Sequence, residues 1–284
     1  MRIILSRKGL DSGVCDISNL LFVDKKGNKN LIMLPIPADD GVHTYQELKF
    51  SDNEIVSKTI KDYLNKSKKI NFQSKCHADP NIVNYFDDPI FLGSIGQVDQ
   101  AQAHLQNRKI GVGDLFIFFG VFAEACFDND SLTIDKNNLK HIMFGYMQIG
   151  GIIQTYGLNE IKRANYEKKY PWLKNQPHWI ASKYNNNKSN CIYVASENFN
   201  NTNIKGYGIF NYDKELQLTQ DKTHCVTHWN LPQELNKLEI TYHSEKSYKE
   251  DYFKAACRGQ EFVIENSKQA EIWAENLIKK HAKQ

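Results

Sequence analysis

The chain has no paired cysteine motif, no long apolar run and almost no net charge, and each absence narrows what it can be. Its six cysteines, at 15, 76, 126, 191, 225 and 257, lie scattered over 284 residues without a Cys-x-x-Cys pair. A disulfide framework or zinc ribbon is therefore not expected, and a reducing, cytoplasmic setting is. The amino terminus, Met1-Arg2-Ile3-Ile4-Leu5, is too briefly apolar for a signal peptide. The greasiest stretch, residues 115–127, is broken by Glu124 and too short to span a bilayer. With 36 basic and 33 acidic side chains the formal charge is +3, so strong non-specific nucleic-acid binding has no polyelectrolyte basis and any such contact must come from a local patch. Also missing are the Walker loop, Gly-x-Gly-x-x-Gly, Gly-x-Ser-x-Gly and His-Glu-x-x-His, which argues against the common ATPase, dehydrogenase, hydrolase and zinc-protease mechanisms.

What is present is a buried core signal. Leu115-Phe116-Ile117-Phe118-Phe119 is apolar on both alternate faces, as is Ile142-Met143-Phe144-Gly145-Tyr146-Met147-Gln148-Ile149. Strands of this kind must be covered on both sides, so the two are expected to be neighbours at the centre of the fold. Gly150-Gly151 then permits a bulge or a close backbone approach. Asp114, behind Gly113, is expected to close a tight turn by accepting a backbone N–H. Residues 2–6 form a further central strand, and residues 191–195 and 208–212 two strands joined by an Asn-rich loop of hairpin character. Ser51-x-x-Glu54 has the form of a capping box ahead of a helix carrying Ile55, Val56, Ile60, Tyr63 and Leu64 on one face, and residues 158–170 alternate charges in a helical pattern. A closing amphipathic helix shares Ala270, Trp273, Ala274, Leu277 and Ile278 on one face. Together these predict a single α+β domain over residues 1–284, with a central mixed sheet or partly closed barrel and helices packed around it.

The polar residues cluster in a few loops. Ser6-Arg7-Lys8-Gly9-Leu10-Asp11-Ser12-Gly13 follows the first strand at its carboxyl end, where sheets containing parallel strands commonly bind ligands. Glycines admit an anion to the backbone, and Arg7 and Lys8 supply charge. Cys76-His77-Ala78-Asp79-Pro80 gathers a thiol, an imidazole and a carboxylate. A metal there would need partners from elsewhere, and His224 and His228 around Cys225 are the best alternative ligands; no metal is expected. Gln97, Gln100 and His104 fall on one face of a helix predicted over residues 96–105, a stripe able to read the hydrogen-bonding edge of a base. In Arg258-Gly259-Gln260-Glu261-Phe262, strict alternation puts Arg258 and Gln260 on one face with Phe262 and Ile264. Trp172 and Trp179 sit in aromatic turns, suited either to anchoring a core or to stacking bases.

These stretches, with Gly96-Gln97, Ala101-Gln102, His104-Leu105, Gly111-Val112-Gly113-Asp114-Leu115, Pro177-His178 and Ile192-Tyr193-Val194-Ala195, resemble in their order the third of the nucleotide-modification-associated domains. The resemblance runs from the first strand to the last. It departs from the family pattern at packing positions, with Tyr146-Met147 where Trp-Leu is usual and Ala78 in place of the commoner Leu. It implies a bacterial or phage protein acting on nucleotides or on bases in nucleic acid, and leaves reaction and cofactor open. On the residues, the expected enzyme uses Asp11 or Asp79 as general base, or Asp11 as nucleophile, with His77 beside them. Arg7, Lys8 and Arg258 would hold phosphate, while Ser12, Gln97, His104, Gln260 and Glu261 complete the ligand contacts. The competing expectation is a non-catalytic reader of modified bases, a small barrel of the PUA or EVE type whose aromatic pocket would be built from Tyr146, Trp172 and Trp179.

Overall fold

The computed structural model describes residues 1–10, 16–50, 54–128, 131–221, 223–257, 259 and 261–283. Its strands are β1 (Ile3–Arg7), β2 (Asn19–Val23), β3 (Lys29–Ile32), β4 (Ile36–Pro37), β5 (His43–Thr44), β6 (Lys75–His77), β7 (Ser94–Gln97), β8 (Leu115–Asp128), β9 (Ser131–Gln154), β10 (Cys191–Ala195), β11 (Tyr207–Ile209), β12 (His228–Trp229), β13 (Phe253–Lys254) and β14 (Glu261–Ile264). Its helices are α1 (Glu54–Leu64), α2 (Asp99–Asn107), α3 (Glu160–Lys169), α4 (Pro177–Ile180), α5 (Ser182–Asn185) and α6 (Lys268–His281).

The frame is the antiparallel ribbon of β8 and β9, paired as Leu115 with Gln148 and Phe116 with Met147. These are the two apolar runs of the sequence, and Phe116, Phe118, Phe119 and Phe144 are fully enclosed. Each long strand then serves two short ones on its outer edge. Along β8 run β1, at Leu115 to Phe119, and β2, at Phe122 to Cys126, both parallel to it. Along β9 run β11, at Gly145 to Met147, and β10, at Ile149 to Gln154, both antiparallel. The residues between β10 and β11 are therefore not a hairpin loop: the two strands share one edge of β9 and do not pair with each other. The strand path is β14-β1-β8-β9-β10-β7, a nine-stranded mixed sheet once β2, β3 and β11 are added. Bulges at Phe118/Phe119 and Phe122/Glu124 let it curl into a half-barrel. A third irregularity falls opposite Gly150, as Val194 pairs with Gly151 and Ala195 with Ile149. A Cβ on Gly150 would stand 2.6 Å from the Ser196 Cα, so the residue supplies both the bulge and the close approach.

Helices cover the sheet. α1 buries Ile60, Tyr63 and Leu64, and α6 buries Ala270, Trp273, Ala274, Leu277 and Ile278 behind a Ser267 cap. Ser51, the cap expected ahead of α1, lies outside the described residues. Asp114 makes its turn, accepting from Arg2 N at 2.7 Å and Gly111 N at 3.0 Å. No described helix is long and apolar enough to cross a membrane.

One core feature sets an acid limit. His141 is buried beside Phe119 and Trp229 and accepts the Trp229 indole N–H at Nδ1, 2.9 Å away. Burial, aided by the nearby Arg7 charge, pushes its pKa down to about 3. The unfolded chain takes up this proton below about 6.5 and the folded chain does not, so stability is full above 6.5 and falls as the pH drops from there toward 3. We expect urea unfolding at pH 5.5 to show about 1.4 kcal/mol less stability from this residue than at pH 7.5. His141→Gln should flatten the difference, and an unchanged pH dependence in that variant would overturn the assignment.

Candidate functional site where the ends of the sheet meet

β14 and β7 are the two ends of the strand path, and the curl brings their side chains into contact: Gln97 Nε2 donates to Glu261 Oε1. α2 leaves β7 directly and packs on β14. His104 on α2 lies 3.2 Å, Nε2 to Oγ1, from Thr241, whose hydroxyl in turn accepts from Val263 N at 2.9 Å. Lys8 extends the β1 ladder by donating its N–H to Phe119 O at 2.8 Å. Ser6 pairs with Glu261 in register, and Lys8, two residues on, projects from the same face. Its ammonium meets Glu261 Oε1 at 2.8 Å, with side-chain exposures of only 11% and 2%. Oε1 thus receives two donors, whereas Oε2 is buried with no hydrogen-bond partner among the described residues.

The second half of the site is fastened to β7. Asn81 and Ser94 exchange backbone hydrogen bonds of 2.8 and 3.0 Å. Asp79, between that bridge and β6, consequently faces Gly96 and accepts its N–H at Oδ1, 2.9 Å away. The buried Gln176 caps α4 through its carbonyl oxygen, and its amide nitrogen donates to Asp79 Oδ1 at 3.2 Å and Ser94 Oγ at 2.8 Å. His178 of α4 lies flat against Gly96: a Cβ there would stand 2.1 Å from the ring, so only glycine admits the imidazole. The ring stacks on Tyr184 at 4.0 Å between centroids and meets the His77 ring edge-on at 5.1 Å.

Hydrogen bonding fixes the state of His178. Asn190 Nδ2 donates to His178 O at 2.7 Å and Thr155 Oγ1 at 2.6 Å. A carbonyl can only accept, so the amide's other arm is its oxygen, and this oxygen, 2.8 Å from His178 Nδ1, must receive a proton from it. Among the described residues the Nε2 lone pair meets no donor. Burial pushes the His178 pKa down to about 4 and that of His77 well below its usual value, with the Lys8 and Lys183 charges adding to both. Asp79 moves the other way. Burial raises it to about 6, against the pull of the Gly96 N–H, Lys8 and the Gln176 amide. It keeps some accessible surface but is otherwise walled in by protein. At neutral pH the cluster is two neutral imidazoles around a carboxylate poised near the pKa a general base needs.

Of the residues singled out from the sequence, Lys8, His77, Asp79, Gln97 and Glu261 converge here, and His104 closes the seam behind Glu261. Gln97 does so from a strand: the helix begins only at Asp99. Arg7 does not join them. Alternation turns it to the opposite face of β1, where its guanidinium donates to Cys257 O at 3.1 Å and faces the His141 side of the sheet. Asp11, Ser12, Arg258 and Gln260 lie outside the described residues. Local spacing does not mark Gly96 and Gln176, 17 and 97 positions away, as the partners of Asp79, or Asn190 as the partner of His178. Tyr146, Trp172 and Trp179 are interior, the first in the main core and the others in a second cluster with Ile153 and Ile192. They form no open aromatic pocket for a base. His224 is exposed and His228 stacks on Tyr252. Neither belongs to the groups of three metal-capable side chains found among the described residues.

A family model described as nucleotide modification associated domain 3 matches residues 2–265. No curated protein and no solved structure matches the chain.

Proposed function

Because the chain belongs to the nucleotide modification associated domain 3 family, we propose that it is an enzyme that modifies a nucleotide or a base in nucleic acid, and that the reaction takes place at the seam between β7 and β14. The observation that carries this is Glu261. A buried carboxylate oxygen without a donor is costly in the free protein and ready for a ligand that brings one. The exocyclic amino groups of cytosine, adenine and guanine are such donors, whereas the ring N3–H of uracil and thymine lies between two carbonyl oxygens that a carboxylate repels. Gln97, which holds the other oxygen, offers a neutral amide beside it. Asp79 with His77 and His178 then provides electron pairs where a proton must leave the substrate or an attacking water. Lys8 balances Glu261 and is not left over for phosphate, unlike its expected role from sequence.

A thermal-shift panel of nucleotides, nucleosides and single-stranded oligonucleotides tests the proposal. A nucleotide with an amino-bearing base, present at 100 times its dissociation constant, should stabilise the fold by about 2.7 kcal/mol. Uridine and thymidine forms should do less, and Glu261→Ala should erase the distinction. Silence from every nucleotide class would overturn it.

A further inference from the structure

The geometry points to a metal centre at the seam, with His77, Asp79 and His178 as ligands to one divalent transition-metal ion; the inference rests on the reading of this cluster as the reaction centre. The donor atoms of the three side chains all lie within 4.8 Å of one another. Two ligands 2.0–2.1 Å from one ion stand at most about 4 Å apart, so the set closes on an ion by roughly an ångström of side-chain movement.

Three features distinguish the set from a chance gathering. Asn190 accepts the His178 Nδ1–H and leaves Nε2 as the ring's available lone pair, the arrangement in which an outer hydrogen-bond acceptor orients a ligating histidine. Both described hydrogen bonds to Asp79 go to Oδ1, leaving Oδ2 as its available oxygen. Among the described residues no cation pairs with the carboxylate directly: the nearby Lys8 is held by Glu261 and Lys183 by Asp40. Two neutral imidazoles and one carboxylate suit zinc, iron or cobalt better than magnesium or calcium, which favour all-oxygen sites. Three protein ligands leave positions open for water or substrate, as in catalytic rather than structural centres. The ion would supply a Lewis acid and a bound water of lowered pKa, and the three lone pairs would hold it in place of taking the proton themselves. In the other cluster of this kind, Asp213, Glu215 and His281, the Glu215 carboxylate is already engaged by Lys280 and His281 and Asp213 accepts from Glu215 N, and among the described residues no orienting acceptor like Asn190 is found.

Titration of the chelator-stripped full chain with Co2+ reads the site without any assay of turnover. We expect one equivalent to give visible d–d bands that Zn2+ abolishes. His77→Ala and Asp79→Asn should remove the bands, Asn190→Ala should weaken Co2+ binding 10–100-fold, and His281→Ala should leave it unchanged. Circular dichroism melts of each variant separate lost ligation from lost fold, and Asp79→Asn, nearly isosteric, remains informative if a histidine variant does not fold. Absence of bands at millimolar Co2+, or bands that survive His77→Ala and Asp79→Asn together, would overturn the inference. Co2+ bands in a protein that answers no nucleotide would uphold the metal centre and sink the proposed function. Nucleotide stabilisation without Co2+ bands would do the reverse.

Discussion

Asp79→Asn is expected to cut the yield of modified nucleotide by about 10²–10⁴-fold while leaving the melting temperature unchanged or slightly raised. The amide keeps the oxygen that accepts from Gly96 N and Gln176 Nε2, so the segment stays fastened to β7. What disappears is the charge, and the charge is the unfavourable part of the residue: burial is the first cause of its raised pKa. A carboxylate kept in a site that penalises it, when an amide would satisfy the same hydrogen bonds, points to a role for the ionised form. The same substitution removes either the base or a metal ligand, so the loss of chemistry does not depend on which role Asp79 plays. Mass spectrometry of nucleosides from the nucleotide pool and DNA of expressing cells provides the comparison. Full modification by the variant would remove Asp79 from the chemistry, and a fall of many degrees in melting temperature would make it a structural anchor instead.

The parts of the molecule legible in the sequence are those in which neighbours along the chain decide the outcome. Leu115 to Phe119 and Ile142 to Ile149 had to be central because neither face of either could meet water, and they pair as neighbours. β1 lies between β14 and β8 for the same reason. β1 does run parallel to β8, the arrangement for which the loop carrying Lys8 at its carboxyl end stands out in the sequence as a candidate ligand site. The misplacements arise where length or distance intervenes. β9 runs 24 residues and offers one edge to both β10 and β11, a possibility that no local spacing reveals. The helix formers of Gly96 to Leu105 put Gln97 on the helix stripe, but Gln97 is the last residue of β7, and its pairing with Cys191 overrides that preference. Half of the site was invisible. Asp79 and Gln97 were singled out for their residue types, while the curl that joins β7 to β14, and the glycine that admits His178, are properties of the closed sheet.

Lys8→Met is expected to destabilise the fold by about 3–5 kcal/mol, because it leaves a buried carboxylate with one amide donor in place of an ion pair. The methionine matches the lysine stem in length and apolar bulk, so packing is nearly conserved and the loss reports charge. Glu261 has 2% side-chain exposure and cannot turn to water. Its remaining contact, Gln97, donates from β7 at the far end of the strand path, so strain at Glu261 passes straight to the closure of the half-barrel. Adding Glu261→Gln should return most of the stability, since the neutral amide still accepts from Gln97 and no charge is left unpaired. Urea unfolding of the wild type, both single variants and the double variant gives the coupling directly. Additive losses would mean that Lys8 and Glu261 act independently and the buried pair is not what holds the seam. The double variant also separates folding from recognition: it should melt near the wild type yet fail to distinguish amino-bearing bases from uracil and thymine, because an amide whose oxygen is engaged by Gln97 turns a donor toward the ligand where the carboxylate turned an acceptor.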